Sequence, residues 1–125
     1  MTLQEALDIA DEMKPNMMRR NLKIKYLDDL EKMIHREILM KHEHAEEQEE
    51  EPEYTEETAP GTVLIVPDPY SKVYWLYLMS RIDIQNQEDA RFNIDMAHFD
   101  NAYREMSAWW TREHMPIMRN RELRK

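Results

Sequence analysis

The sequence contains no cysteine and only one glycine among its 125 residues. The absence of cysteine excludes a disulfide framework, a thiol nucleophile and a thiolate metal site. A single glycine leaves little scope for hairpins and for tight turns with positive φ, which disfavours an all-β fold. It also excludes a glycine-rich phosphate-binding loop. These absences predict a helical protein that suits a reducing compartment.

Long apolar runs are also missing. No stretch approaches the ~18 apolar residues that a membrane helix needs. The first residues, MTLQEALDIADEM, carry acids where a signal peptide would carry bases. We therefore expect a soluble protein with no contact with a membrane.

Charge of one sign is concentrated in a single segment. The formal net charge is −9, and Glu46–Glu57 contains eight glutamates and no base. Because like charges repel and such a segment has little apolar area to bury, we expect a mobile, solvated loop over residues 46–60. This loop interrupts a predicted helical domain of residues 1–114. Residues 115–125 form a basic tail, which carries Arg119, Arg121, Arg124 and Lys125.

Apolar periodicity predicts four helices and hence an all-α, four-helix bundle-like subunit with a long C-terminal helix. Thr2 and Glu5 have capping-box spacing, and Pro15 ends the first helix near Met13. The later helices are predicted over Asn21–His44, Tyr70–Gln85 and Gln87–Glu113. The third is apolar nearly all round, which indicates a central position. The fourth carries a seam of large side chains at heptad-type spacing: Phe92, Met96, Phe99, Tyr103, Met106 and Trp110.

Two details of this scheme concern the second helix and the segment before the third. Ile24, Leu27, Leu30, Ile34 and Ile38 form the predicted apolar stripe of the second helix. Its charged residues are predicted to face outward: Asp28, Asp29, Glu31, Lys32 and Arg36. The short apolar run Thr62–Val66 precedes two prolines and is predicted to be an extended strap across the bundle, with pairing to a neighbouring subunit as the alternative.

No chemical signature emerges from the polar residues. Asp95-x-x-His98 is the nearest match to the Glu-x-x-His motif of a di-iron bundle, but it uses aspartate and has no second copy. Glu31 and His35, and His42-x-His44, are similarly isolated. No nucleophile elbow or catalytic triad motif is present. We therefore predict that the protein is not an enzyme and has neither a cofactor nor a metal site.

Aromatic residues off the main stripes indicate subunit contacts. Trp75 and Trp109 fall outside the predicted core positions, and exposed aromatic side chains are enriched at interfaces. Together with Val63 and Ile65 of the strap, they are the predicted subunit interface.

Several segments, taken in order, resemble a known family. PNMMRRNLKIKYLDDLEKMIHREI, VPDPYSKVYWLYLMSRIDIQNQE and RFNIDMAHFDNAYREMSAWW are similar to head–tail connector (adaptor) proteins of long-tailed bacteriophages and prophages. The resemblance covers most of Leu3–Trp110. It implies an α-helical subunit of a ring, typically of twelve copies, that lies beneath the portal, extends the DNA channel and offers a docking surface to stopper and tail proteins. It implies location in the virion, and in the host cytoplasm during assembly, and it carries no catalytic residues.

The Glu-rich loop and the basic tail lie outside the resemblance, so their predicted roles rest on charge. Glu49, Glu50, Glu51 and Glu53 would face the channel and repel the phosphates of passing DNA over about 8 Å at physiological salt. Arg119, Arg121, Arg124 and Lys125 would dock on an acidic surface of the portal protein. The subunit would form a ring on assembly and stay soluble, as a monomer, before it.

Two other functions compete with this hypothesis. A small acidic protein could sequester a nucleic-acid-binding partner, with its glutamates imitating phosphates. A metal-dependent helical-bundle enzyme is the third reading, and measurement of bound iron, manganese and zinc in the purified protein would test it.

Overall fold

A computed structural model describes residues 1–38 and 50–113, and these ranges are all-α. The helices are α1 (Leu3–Met13), α2 (Arg20–Glu37), α3 (Lys72–Gln85) and α4 (Asp89–Glu113). Within the described ranges, the only β pairing is an isolated bridge between Thr2 and Val63. The predicted order and type of the helices are confirmed. None of the described helices combines the length and the apolar character that a bilayer crossing requires.

The predicted capping box starts α1. The backbone N–H of Glu5 donates to Thr2 Oγ1 at 3.2 Å, and the backbone N–H of Thr2 donates to Glu5 Oε1 at 3.0 Å. These bonds satisfy two donors that the first turn of a helix leaves unpaired. The helix ends at Met13, and Asn16 then shapes the turn toward α2 by accepting a hydrogen bond from the backbone N–H of Met18 at 3.0 Å.

Helix α2 ends earlier than its sequence indicates. Its last residue is Glu37, with Ile38 as the C-cap, whereas the apolar pattern predicted a helix to His44. Residues 39–49 lie outside the described residues. The apolar stripe Ile24, Leu27, Leu30, Ile34 and Ile38 is buried as predicted.

Helix α3 is the centre of the fold. It packs against α1, α2 and α4, and its buried residues lie on several sides of the helix, as predicted from its all-round apolar surface. Helix α4, in contrast, packs chiefly on α3. Of its 25 residues, only Asp95, Phe99, Ala102 and Met106 are buried. A long helix is therefore held along one side.

The strap Thr62–Val66 pairs through its first residues with another part of the same chain. The backbone N–H of Leu3 donates to the Thr62 carbonyl at 2.8 Å, and that of Leu64 donates to the Met1 carbonyl at 2.9 Å. Leu64 and Val66 point into the core, while Val63 is 71% exposed. The backbone partner of the strap is therefore the start of the same chain.

Glu31 corrects the prediction for the second helix. Its side chain was predicted to face outward, yet it is 0% exposed. The hydroxyl of Tyr74 donates to Glu31 Oε1 at 2.6 Å, and the hydroxyl of Tyr54 donates to Oε2 at 2.8 Å. The backbone N–H of Ile65 also donates to Oε2, at 2.9 Å. One carboxylate therefore ties α2 to α3, to the strap and to the Glu-rich segment.

Asp28 is the second buried carboxylate predicted to face outward. It is 5% exposed, accepts a hydrogen bond from the backbone N–H of Tyr54 at 2.9 Å, and pairs with Lys32 at 2.5 Å. The positions of Asp28 and Glu31 reflect the same cause. Apart from Lys32, the polar groups that satisfy them come from distant segments, which periodicity along one helix does not register.

These contacts involve part of the segment predicted to be a mobile loop, residues 46–60. From Glu50 onward the segment lies against α2, with Tyr54 buried and Glu51 paired with Arg36 at 2.7 Å. Tyr54 supplies the apolar area and the hydrogen-bond donors that eight glutamates lack, and this anchors the second half of the segment. Glu46–Glu49 lie outside the described residues.

We predict that replacing Glu31 with leucine destabilises the fold. The substitution leaves the Tyr54 and Tyr74 hydroxyls and the Ile65 N–H without their acceptor, and each orphaned donor costs about 1–3 kcal/mol. The free energy of unfolding in urea should fall by about 3 kcal/mol or more. Glu56→Leu, at an exposed position of the same segment, should change it by about 0.5 kcal/mol or less. Equal effects of the two substitutions would contradict the role given to Glu31.

Candidate interaction site

A cleft runs over α3 between α1 and α4. Both helices pack on or beside α3, but they are not packed closely against each other, so part of the α3 surface stays open between them. Trp75, Leu76 and Met79 of α3 form its floor. Met13 forms the wall at the end of α1, and the α4 wall consists of Ile94, Asp95, His98, Asn101, Ala102 and Glu105. The cleft has a volume of about 550 Å³.

The lining of the cleft is apolar with a polar rim. Met13 and Ile94 are 55% and 58% exposed, although both are large apolar side chains. A cleft of this volume with an apolar floor and a few polar groups is the usual form of a binding site. At the end near Glu105, that carboxylate pairs with Lys72 at 3.2 Å.

A cluster of charged side chains closes the other end of the cleft. Lys14, the C-cap of α1, pairs with Asp83 of α3 and, at 3.2 Å, with Asp95 of α4. Glu88, in the turn between α3 and α4, lies 3.7 Å from the Lys14 ammonium. That turn is closed by Gln87 in the left-handed region (φ 58°) and by a bond from the Glu88 N–H to the Asp83 carbonyl at 2.9 Å. The cluster therefore joins three helices through one lysine.

Burial and crowding shift the titration of this cluster. Burial, reinforced by a hydrogen bond with Asp95, raises the pKa of the Asp83 carboxyl to about 6 from its usual 3.8. Burial alone would lower the pKa of Lys14, but its hydrogen bonds with Asp83 and Asp95 outweigh that effect, and the pKa is raised. Lys14 therefore stays charged while the buried aspartate resists ionisation.

The predicted interface residues fall in different places. Trp75 lies in the floor of the cleft, half-buried. Val63 and Ile65 lie on the strap, where the backbone of Ile65 is bonded to Glu31. Trp109 stacks on Tyr70 with 4.9 Å between ring centroids, so a neighbour within the chain covers one face of its indole. Of the four, Trp75 is the one that the structure places in the cleft.

The predicted charged sites are described only in part. Glu50 and Glu53 are exposed on the anchored segment, and Glu51 is partly buried beside Arg36. Glu49 lies outside the described residues, as do the four bases of the tail, Arg119, Arg121, Arg124 and Lys125.

The described residues that the sequence suggested as metal ligands lie in separate environments. Asp95 faces Lys14, while His98 lies exposed on the cleft wall. Both carboxylate oxygens of Glu31 already accept hydrogen bonds, from three donors of the same chain. Across residues 1–38 and 50–113, no three histidine, aspartate or glutamate side chains converge as ligands for a metal ion.

Sequence reasoning missed most of the cleft. The sequence pattern gave Met13 only as the end of the first helix, and it assigned no role to Lys14, Met79 or Ile94. A weak signal existed for Asp83 and Asp95, because each is an acid on an otherwise core-facing side of its helix. Their common partner, Lys14, is distant in sequence, and no local pattern indicates it.

Comparisons with known proteins do not extend this description. No protein-family model matches the chain, and neither the curated proteins nor the solved structures gave a match.

We predict a pH dependence of stability that is specific to Asp83. Its raised pKa means that the folded chain binds this proton more tightly than the unfolded chain does, so ionisation of Asp83 costs stability as the pH rises from about 4 to about 6. Urea midpoints measured at pH 5 and pH 7 should show that the wild type gains more stability at pH 5 than Asp83→Asn does.

The matched control is Asp100→Asn, an exposed carboxylate of α4. This variant should keep the wild-type response to pH. Parallel pH responses of wild type and Asp83→Asn would contradict the assignment.

Proposed function

We propose that the protein is a structural subunit of a phage head–tail connector, a bundle-like helical subunit of a ring beneath the portal. In this role it extends the DNA channel and offers a surface to the stopper and tail-completion proteins. It acts in the virion, and in the host cytoplasm during assembly. The resemblance of the sequence segments motivates the proposal, and the surface of the described residues supports it.

The observation that carries the proposal is the open cleft beside the one-sided helix α4. Met13 and Ile94 are both more than half exposed beside an apolar floor, and a contiguous apolar surface of this kind is a form that protein–protein contacts use. A ring needs a heterologous contact, in which one face of a subunit fits a different face of the next. The cleft offers one such face, with Trp75 at its base.

The anchored glutamates suit the wall of a DNA channel. Tyr54 fixes the segment on α2, which leaves Glu50 and Glu53 exposed in defined positions. Carboxylates held at a wall repel phosphates and so let DNA pass without sequence-specific contacts. Glu49 and Glu51 are assigned to the same surface.

The basic tail is assigned to the portal. Arg119, Arg121, Arg124 and Lys125 would meet an acidic surface of the portal ring. Each contact is weak by itself, but many subunits in one ring bind together, and avidity makes the assembly stable.

One observation favours a second function, sequestration of a nucleic-acid-binding protein. The same anchoring by Tyr54 presents Glu53, Glu56 and Glu57 as a fixed acidic surface, which is a better imitation of phosphates than a mobile loop. Recovery of a DNA-binding protein, without affinity for a portal, would favour this function over the connector.

We predict that electron microscopy of the protein mixed with its cognate portal protein shows ring density beneath the portal. The reason is that portal symmetry brings subunits together at the high local concentration that ring contacts need. The absence of such density at saturating protein would count against the connector.

Two variants distinguish the contact between subunits from the contact with the portal. Trp75→Lys places a charge in the cleft and should reduce ring density, while single subunits should still bind the portal. Arg119→Glu with Arg121→Glu should weaken binding to the portal itself. Asp100→Lys, on the solvent side of α4, is the matched control and should assemble normally.

A further inference from the structure

Arg81, in the second half of α3, is a partly buried base held by aromatic rings. The centre of its guanidinium lies 4.9 Å from the centroid of the Tyr77 ring and 5.7 Å from that of the Phe92 ring. Its Nη2 lies 3.5 Å from the Met96 sulfur, and its Nε donates to Ser80 Oγ at 3.3 Å. We call Arg81 with these two rings and the Met96 sulfur the Arg81 site.

The Arg81 site differs from the surroundings of the other sheltered bases. Lys14, Lys23, Lys32 and Lys72 are also buried or partly buried, and each of them pairs with a carboxylate. Across residues 1–38 and 50–113, no carboxylate forms an ion pair with Arg81. The guanidinium is therefore fixed in position without an anion to balance its charge.

The chemistry of a stacked guanidinium indicates what it would bind. Stacking on a ring uses the flat face of the group and leaves N–H donors along its edge. A carboxylate accepts two parallel hydrogen bonds from that edge, in the strongest pairing that arginine makes. Because the rings already hold the side chain, less rotamer freedom is lost when the carboxylate arrives.

A turn elsewhere on the surface presents suitable carboxylates. In the turn Thr55–Thr58, the N–H of Thr58 donates to the Thr55 carbonyl at 3.1 Å, and the N–H of Thr55 donates to Thr58 Oγ1 at 2.8 Å. Its two central residues, Glu56 and Glu57, are exposed. The Thr55 hydroxyl donates to Glu57 Oε2 at 3.1 Å. The anchor at Tyr54 and these bonds hold two carboxylates at a defined place.

We propose that the Arg81 site of one subunit binds the Glu56–Glu57 turn of a second copy. The two surfaces are complementary, since one offers a fixed guanidinium and the other offers fixed carboxylates. They do not meet within one chain, and they lie on different segments, so each copy carries one of each. Such a contact is heterologous, which is the kind that a ring requires.

This inference deepens the proposed function and rests on it, because it names a contact between neighbours in the ring. A single ion pair at a surface contributes little by itself. Isolated subunits would therefore stay apart at low concentration, and the contact would form once the portal gathers many copies.

The absence of cysteine allows the contact to be trapped in the full-length chain. Gln85→Cys is exposed one helical turn after Arg81, and Ala59→Cys is exposed just after the turn. The two single variants, mixed at high concentration in oxidising buffer, should form the mixed disulfide at least about 5-fold faster than either like disulfide, because docking brings these thiols together. Mass spectrometry distinguishes the three products.

Charge reversal then identifies the groups. Arg81→Glu, added to the Gln85→Cys chain, should reduce the mixed rate to that of the like disulfides. Glu56→Arg with Glu57→Arg, added to the Ala59→Cys chain, should restore it, because opposite charges face each other again. Recovery of this kind excludes a damaged fold as the cause of the loss. Arg104→Glu, an exposed position of α4, is the matched control with the same change of charge and should keep the original rate.

Three results would overturn the proposal. The first is equal rates for the mixed and the like disulfides. The second is an equal loss with Arg104→Glu and Arg81→Glu, which would indicate net charge alone. The third is a loss with Arg81→Glu that the arginine turn does not restore, which would indicate another carboxylate as the occupant. The test contains no portal, so its failure leaves the connector function to the microscopy, and a missing ring leaves the trapped contact as measured.

Discussion

The hydrogen bonds that converge on Glu31 organise the rest of the molecule. Placing a carboxylate at 0% exposure is costly unless its oxygens are satisfied, and three donors satisfy them here. Those donors come from the Glu-rich segment, the strap and α3. Because the carboxylate requires all of them, α2 fixes the positions of segments that have little apolar area of their own. Burial raises the pKa of the Glu31 carboxyl, and the three hydrogen bonds oppose that rise.

The helices were predictable from sequence because their signals are local. The capping box at Thr2, the seam of α4 and the all-round apolar surface of α3 each involve neighbours within a few residues. The Glu31 network is different, since its partners are 23, 34 and 43 residues away. A charged residue with no visible partner is ordinarily exposed, so Asp28 and Glu31 were assigned to the wrong side of α2. The cleft escaped prediction for a similar reason, because its walls come from separate helices.

The central position of α3 explains why a cleft exists. Helix α3 supplies apolar surface to α1, α2 and α4 together, so α1 and α4 gain their buried area chiefly from it and not from each other. Their side chains at the margin, such as Met13 and Ile94, then face across open space. Closing that space would require α1 to approach α4.

The Lys14 cluster opposes such an approach. Lys14, Asp83 and Asp95 lie between α1 and α4, and buried charges hold their partners at hydrogen-bonding distance without gaining much net stability. These groups are already buried and in contact, so a closer approach of α1 to α4 would compress them. The charged contacts at one end therefore fix the width of the cleft. The apolar side chains along its length remain exposed to solvent. A separate surface that fits between the helices would meet both conditions without moving α1.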